Sequence, residues 1–207
     1  MTRLRVALTI DTEHPDRPDA ARTAEAIVAT LARHAVLGTF FIQGRWAEAE
    51  PESVRAIVGA GHLVGHHSHY HARMPLLTDA GLAADLADGA KAIIVAGGPD
   101  PRPWFRCPFG AGADDPRVLA AVAKAGYRHV GWHVAADDWE PARTEEVIVG
   151  EVVDGVLAHG DGAVALLHSW PAVTPGALDA ILVRLASAGA EFCRVDELAD
   201  VPVGVPG

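Results

Sequence analysis

Strand-like and helix-like segments alternate along almost the whole chain, and this alternation constrains the fold more than any other feature. Arg3–Ile10 reads as a buried strand, followed by a helix over Thr23–His34 with Ile27, Val28 and Leu31 at helical spacing. A short apolar strand over Gly38–Ile42 precedes a helix over Pro51–Ala60, which opens on Pro and stops before Gly61. A helix over Thr78–Val95, with Thr78 and Asp79 as candidate caps, leads to an extended Pro103–Arg106. Helices are expected over Pro116–Ala125, Thr144–Ala158 and Pro175–Ala188, and strands over Arg128–Val134, Ala163–Leu167 and Glu191–Val195. Alternation with short turns demands a parallel sheet covered by helices, either doubly wound or closed. About seven units favour the barrel. The spacing predicts one α/β domain over residues 1–200 and a flexible C-terminal tail over 201–207, which is rich in Pro, Gly and Val.

Length and charge narrow the function. A chain of 207 residues suits one domain with a substantial core. The net charge of −10 sets aside nucleic acid and anionic membrane surfaces as partners, because both require a positive face. No apolar run approaches a bilayer span, and the opening MTRLRVALTID enters a strand pattern directly, so a cytoplasmic location is expected. The two cysteines, Cys107 and Cys193, are not in a CxxC spacing and read as free, buried or half-buried thiols.

Polar clusters sit where the apolar strands end, the place where α/β folds bind ligands. Asp11 and Glu13 follow the first strand, Arg106 follows an extended segment, Asp137 and Asp138 follow the strand through Val134, and His168 follows Leu166 and Leu167. Five of the eleven histidines (His62, His66, His67, His69 and His71) fall within ten positions. His62 and His69 read as loop or surface residues. His67 and His71, four apart, fall on one side of a helical turn and can reach one cation together. A carboxylate with two histidines and open positions is a common hydrolytic metal site. Asp11 reads either as a turn aspartate or as a base beside a metal; His168 reads either as a satisfied core histidine or as a general acid.

From Val6 to Leu198 the chain resembles the polysaccharide deacetylase superfamily, also called the NodB-homology or carbohydrate esterase family 4 domain. Five motifs carry the resemblance. Thr9-Ile10-Asp11-Thr12 is similar to the family's TFDD motif, and Gly65-His66-His67-Ser68-His69-Tyr70-His71 to its HxxxH motif. Phe105-Arg106-Cys107-Pro108-Phe109-Gly110 is similar to its RxPY motif, Asp138-Trp139 to its DW motif, and Leu166-Leu167-His168 to its LxH motif. The resemblance implies a distorted (β/α) barrel. It implies Asp11 as base, oriented by Arg106, and His168 as acid, supported by Asp138. It also implies His67 and His71 as metal ligands, a Phe109 N–H in an oxyanion hole, and Trp139 and Leu166 as walls of the acetyl pocket. The chain departs from the pattern at two positions. The family's metal-binding second aspartate is Thr12 here, with Glu13 as the candidate replacement, since residues two apart on a strand share a face. The acid usual three places before the DW aspartate is Ala135.

The expected function is therefore a hydrolase using one divalent metal, zinc first and cobalt or nickel also admitted by the geometry, that removes N-acetyl from an acetylated amino sugar. An amidohydrolase acting on a small acylated metabolite or cyclic amide, or a degenerate sugar-binding member, remains open. Trp46, Trp104, Trp132 and Trp170 can stack on a sugar or fill the core.

Overall fold

The computed structural model describes residues 3–17 and 19–205. Eight parallel strands, β1 (Leu4–Thr12), β2 (Thr39–Ile42), β3 (Leu63–His66), β4 (Trp104–Phe105), β5 (Arg128–His129), β6 (Val134–Ala135), β7 (Ala163–His168) and β8 (Ala190–Cys193), form one curled sheet. Its path runs β5-β4-β3-β2-β1-β7-β6, with β8 beside β1. The central β1 pairs with β7 on one edge. On its other edge it pairs with β8 along Leu4–Ala7 and with β2 along Thr9–Thr12. Seven helices cover the sheet: α1 (Ala20–Arg33), α2 (Gly44–Ala49), α3 (Pro51–Gly59), α4 (Asp79–Val95), α5 (Pro116–Lys124), α6 (Glu145–His159) and α7 (Thr174–Ser187). The architecture is a distorted (β/α)7-type barrel. No helix among the described residues is long and apolar enough to cross a membrane.

Alternation along β1 sorts its side chains. Val6, Leu8 and Ile10 join Ile27, Leu31, Ile181 and Leu185 in the large core under the helices. Ala7 turns inward and packs with Phe41, Val130, Val164 and Val195 to close the floor of the barrel. Thr9 and Asp11 continue the inward row, so a polar ladder rises from an apolar floor. Three helices start on hydroxyl or carboxylate caps: Thr78 accepts from the Gly81 N–H, Asp115 from Arg117 and Val118, and Thr144 from Val147.

The strand expected over Arg128–Val134 is two strands, and they are the two ends of the sheet path. Here the barrel is open. Gly131 N–H donates to Pro202 O at 2.6 Å, and a Cβ on Gly131 would collide with the Gly204 backbone. The segment at 201–205 thus lies along the seam, and only glycine permits so close an approach. Of the predicted tail, 206–207 lie outside the described residues. An apolar run alone does not reveal that its two ends pair with different neighbours. The sequence pattern also passed over α2 and β3, both shorter than the windows in which periodicity can be read.

Candidate active site

The inward row of β1 ends on Asp11, whose Cα lies in register with that of His168 on β7. Asp11 and Glu13 are both buried on the inner face. Asp11 Oδ1 accepts from Arg106 Nη1 at 2.8 Å. Arg106 is fully buried, and three more of its donors are fixed: Nη1 to Thr9 Oγ1 at 2.9 Å, Nε to Val130 O at 3.1 Å, and Nη2 to Gly131 O at 2.9 Å. Its Cζ lies over the Phe41 ring, 4.2 Å from the centroid. Burial pulls this guanidinium's pKa down, and the charge of Asp11 opposes the loss. At Ala135, in register with Leu166, there is no carboxylate, and the backbone carbonyls at the seam take the Arg106 donors instead.

His67 and His71 do not lie on a helix. They follow β3 in a loop where Ser68 and His71 adopt left-handed φ values of 63° and 58°. The loop doubles back and is tied down by Asp85, which accepts from the His69 and Tyr70 N–H groups, and by Ser68 Oγ, which accepts from the His71 N–H. The i,i+4 spacing therefore brings the rings together through a strained turn rather than through helical periodicity. His62 and His69 lie in loops, one of the two settings expected for them. Both are buried, and His62 Nδ1 accepts from the Gly38 N–H while burial lowers its pKa to about 4.

Glu13, His67 and His71 each direct one donor atom to a common point, all within 4.8 Å of one another. His67 Nε2 is 3.2 Å from Glu13 Oε2 and 3.5 Å from Asp11 Oδ2, and His71 Nε2 touches the same Glu13 oxygen. Thr12 is not in this group; its hydroxyl turns to Ile10 O. The protonation pattern shows what the group can hold. His67 Nδ1 is 3.0 Å from Arg106 O, an acceptor only, so Nδ1 carries the hydrogen and the neutral ring presents a lone pair at Nε2. A lone pair facing a carboxylate needs a cation between them. Burial lowers the His67 pKa, but Asp11 and Glu13 outweigh it and raise it; the same carboxylates that hold a proton there would hold a metal ion. Burial lowers the His71 pKa and leaves its ring neutral. Glu13 is pushed up by burial, but bonds with His14, His67 and His71 outweigh this and hold it well below the usual range. The residues present fit a divalent cation.

Across the cavity, His168 Nδ1 donates to Asp138 Oδ1 at 2.6 Å, while Asp138 Oδ2 accepts from the His168 N–H and from Thr174 Oγ1. This leaves His168 Nε2 facing the cavity. Burial disfavours the imidazolium, but the charge and hydrogen bond of Asp138, helped by Glu13 and Asp11, raise the His168 pKa to about 9. Phe109 has a left-handed φ of 59° and an exposed ring, and Trp139 is also exposed at the rim. Both line a cavity of about 1100 Å³ together with Leu166, Trp132 and Trp170. Trp46 fills the core. Thr9, Thr174, His14 and Trp170 belong to the site although the motifs did not single them out for these contacts. Trp170 Nε1 donates to Glu13 Oε1 at 3.3 Å, and its place two residues after His168 was the available signal.

A buried carboxylate and two imidazoles at the carboxyl end of a parallel barrel form the donor set of metal-dependent hydrolases. The chain belongs to the polysaccharide deacetylase family, whose description matches residues 2–130. It is 32% identical over 198 residues to the peptidoglycan-N-acetylglucosamine deacetylase of Listeria monocytogenes, a match that covers 95% of this chain and 39% of that protein. The chain thus spans about two fifths of that relative's length. Among solved structures, a family 4 carbohydrate esterase from Streptomyces lividans in complex with acetate superposes with a TM-score of 0.78 at 32% identity, covering 90% of both chains. A family 4 pseudoenzyme from Bacillus anthracis gives a TM-score of 0.84 at 26% identity, covering 96% of this chain and 66% of that one. One scaffold therefore carries both active and inactive members, and function has to be argued from the site.

Proposed function

We propose that this protein is a metal-dependent deacetylase that hydrolyses the N-acetyl amide of an amino sugar within a glycan. One observation carries the reading: a Glu13–His67–His71 donor group flanked on one side by the Asp11–Arg106 pair and on the other by the His168–Asp138 pair. Glu13, His67 and His71 would hold the ion, with zinc the first choice for this donor set and cobalt or nickel also suited. When bound, such an ion supplies a Lewis acid that polarises the acyl carbonyl and lowers the pKa of water.

The chain's own residues do the rest. Arg106 holds Asp11 aimed into the cavity, so Asp11 takes the proton as water adds to the acyl carbon. The left-handed turn at Phe109 offers its N–H to the developing oxyanion. His168, held as imidazolium by Asp138, gives its Nε2 proton to the nitrogen as the C–N bond breaks. Acetate and a free amine result. Trp139 and Leu166 wall the acetyl group.

The listerial relative is named for a glycan substrate, which favours a carbohydrate over a small acylated metabolite. The presence of base, ligand group and acid supports this reading over a purely sugar-binding role. The test is acetate release from acetylated chitooligosaccharides and peptidoglycan fragments by the zinc- or cobalt-loaded protein. Loaded protein that releases none from either would overturn the reading.

A further inference from the structure

The rim of the cavity on the Glu13 side carries two arginines in an unusual setting. Among the described residues, ten of the fifteen arginines form ion pairs with carboxylates. Arg17 and Arg73 do not. Each instead lies on an aromatic ring that lines the cavity: Arg17 is 4.6 Å from the Trp170 centroid and Arg73 is 4.5 Å from that of Phe109. The two rings are joined through imidazoles. Trp170 packs on His14 at 5.3 Å, His14 on His71 at 5.2 Å, and His71 on Phe109 at 4.4 Å. The result is a continuous arc, Arg17–Trp170–His14–His71–Phe109–Arg73, with a guanidinium at each end and a metal-ligand candidate at its centre. The acids of the cavity contact other groups, not these two arginines. Asp11 is tied to Arg106, Glu13 to the histidines, and Asp137 and Glu151 to Arg143 on the far side.

A guanidinium stacked on an aromatic face keeps its in-plane N–H donors free and its conformation restricted, the arrangement suited to gripping a planar anion. In a chain of net charge −10, two such groups at one mouth are a local concentration of positive charge.

We infer that Arg17 and Arg73 select an acidic substrate: an acetamido glycan with a carboxylate close to the N-acetyl group, on the same sugar or on its neighbour. The inference rests on the deacetylase reading for the sugar but not for the anion. The experiment is calorimetric binding of two ligand pairs to the zinc-loaded protein at low salt. The first pair is the disaccharide of N-acetylglucosamine and N-acetylmuramic acid with its methyl ester, which places the carboxylate on an acetamido sugar. The second is the disaccharide of glucuronic acid and N-acetylglucosamine with its methyl ester, which places it on the neighbour. The acid of one pair should bind about tenfold more tightly than its ester, as a charge-assisted hydrogen bond warrants. The gap should narrow with added salt, close in the Arg17→Ala/Arg73→Ala double variant, and reverse in Arg17→Glu/Arg73→Glu. Which pair shows the gap identifies where the carboxylate sits. Equal binding of acid and ester in both pairs, or a gap that survives the double alanine variant, overturns the inference. Acetate release is read separately. A persistent gap with no acetate released removes the deacetylase reading and leaves the anion site standing; acetate released without a gap does the reverse.

Discussion

The two halves of the site are built to different standards of rigidity. The base and ligand half hangs from β1, β3 and β4, within the run β4-β3-β2-β1 of the sheet, and its key residue Arg106 is fully buried with four hydrogen bonds. The acid half joins β7 to the loop after β6, a two-residue strand at the free end of the sheet beside the seam. Its coherence comes from one carboxylate, since Asp138 alone holds the His168 ring, the His168 backbone N–H and Thr174. The first half is redundant and structural, and the second is a single relay. Losses in the first should therefore reach binding or folding as well as chemistry, and losses in the second should remain confined to the proton supplied.

The sharpest contrast is expected from the ligand group. His67→Ala/His71→Ala should lose bound metal and all measurable turnover, read by elemental analysis beside an acetate assay. Metal retained at wild-type stoichiometry would mean that the ion sits elsewhere. His168→Ala should keep the metal yet lose turnover by about 10²–10⁴-fold, the usual worth of a general acid. Full turnover in that variant would remove His168 from the mechanism.

Stability divides the halves in the same sense. Arg106→Met leaves Asp11 buried without its partner and should cost about 3–5 kcal/mol in urea denaturation. Thr174→Val removes one donor to the Asp138 carboxylate and should cost less, about 1.5–3 kcal/mol. Similar losses for the two would dissolve the distinction drawn here.

The relay also predicts a pH signature. With a folded pKa of about 9, His168 is protonated at neutral pH. A raised folded pKa means that its contribution to stability is complete below the unfolded value of about 6.5 and is lost as pH rises through about 9. In the metal-free protein, NMR titration of His168 should show this value directly, and Asp138→Asn should bring it down toward the ordinary histidine range. An unmoved titration would show that Asp138 does not govern it. The smallest effect is expected in turnover of Thr174→Val, a decrease of less than about tenfold, since His168 keeps both of its bonds to Asp138.

Much of this arrangement was legible in the residues. The alternation of elements, the polar residues at strand ends and the motif spacing placed Asp11, Glu13, His67, His71, Arg106, Asp138 and His168 in one neighbourhood, and the structure brings all seven to one end of the barrel. The reason offered for the histidine pair was nevertheless wrong, because Ser68 and His71 take left-handed conformations that residue spacing does not encode. The single strand expected across Gly131 concealed the seam, because hydrophobicity records burial but not the pairing partner. Thr9 and Thr174 were invisible as functional contacts, since a threonine in a strand or at a helix start needs no further explanation.

By itself the sequence determined the order of elements, the shared face of Asp11 and Glu13 and the titratable residues at the strand ends, because periodicity and residue chemistry are local properties. Only the tertiary structure decided that Glu13 rather than Thr12 faces the histidines, that Arg106 is shared among Asp11, Thr9 and two seam carbonyls, and that Arg17 and Arg73 meet at one mouth. Those facts depend on contacts between residues up to about a hundred and fifty positions apart, as between Trp170 and Glu13, and such contacts exist only once the barrel has curled.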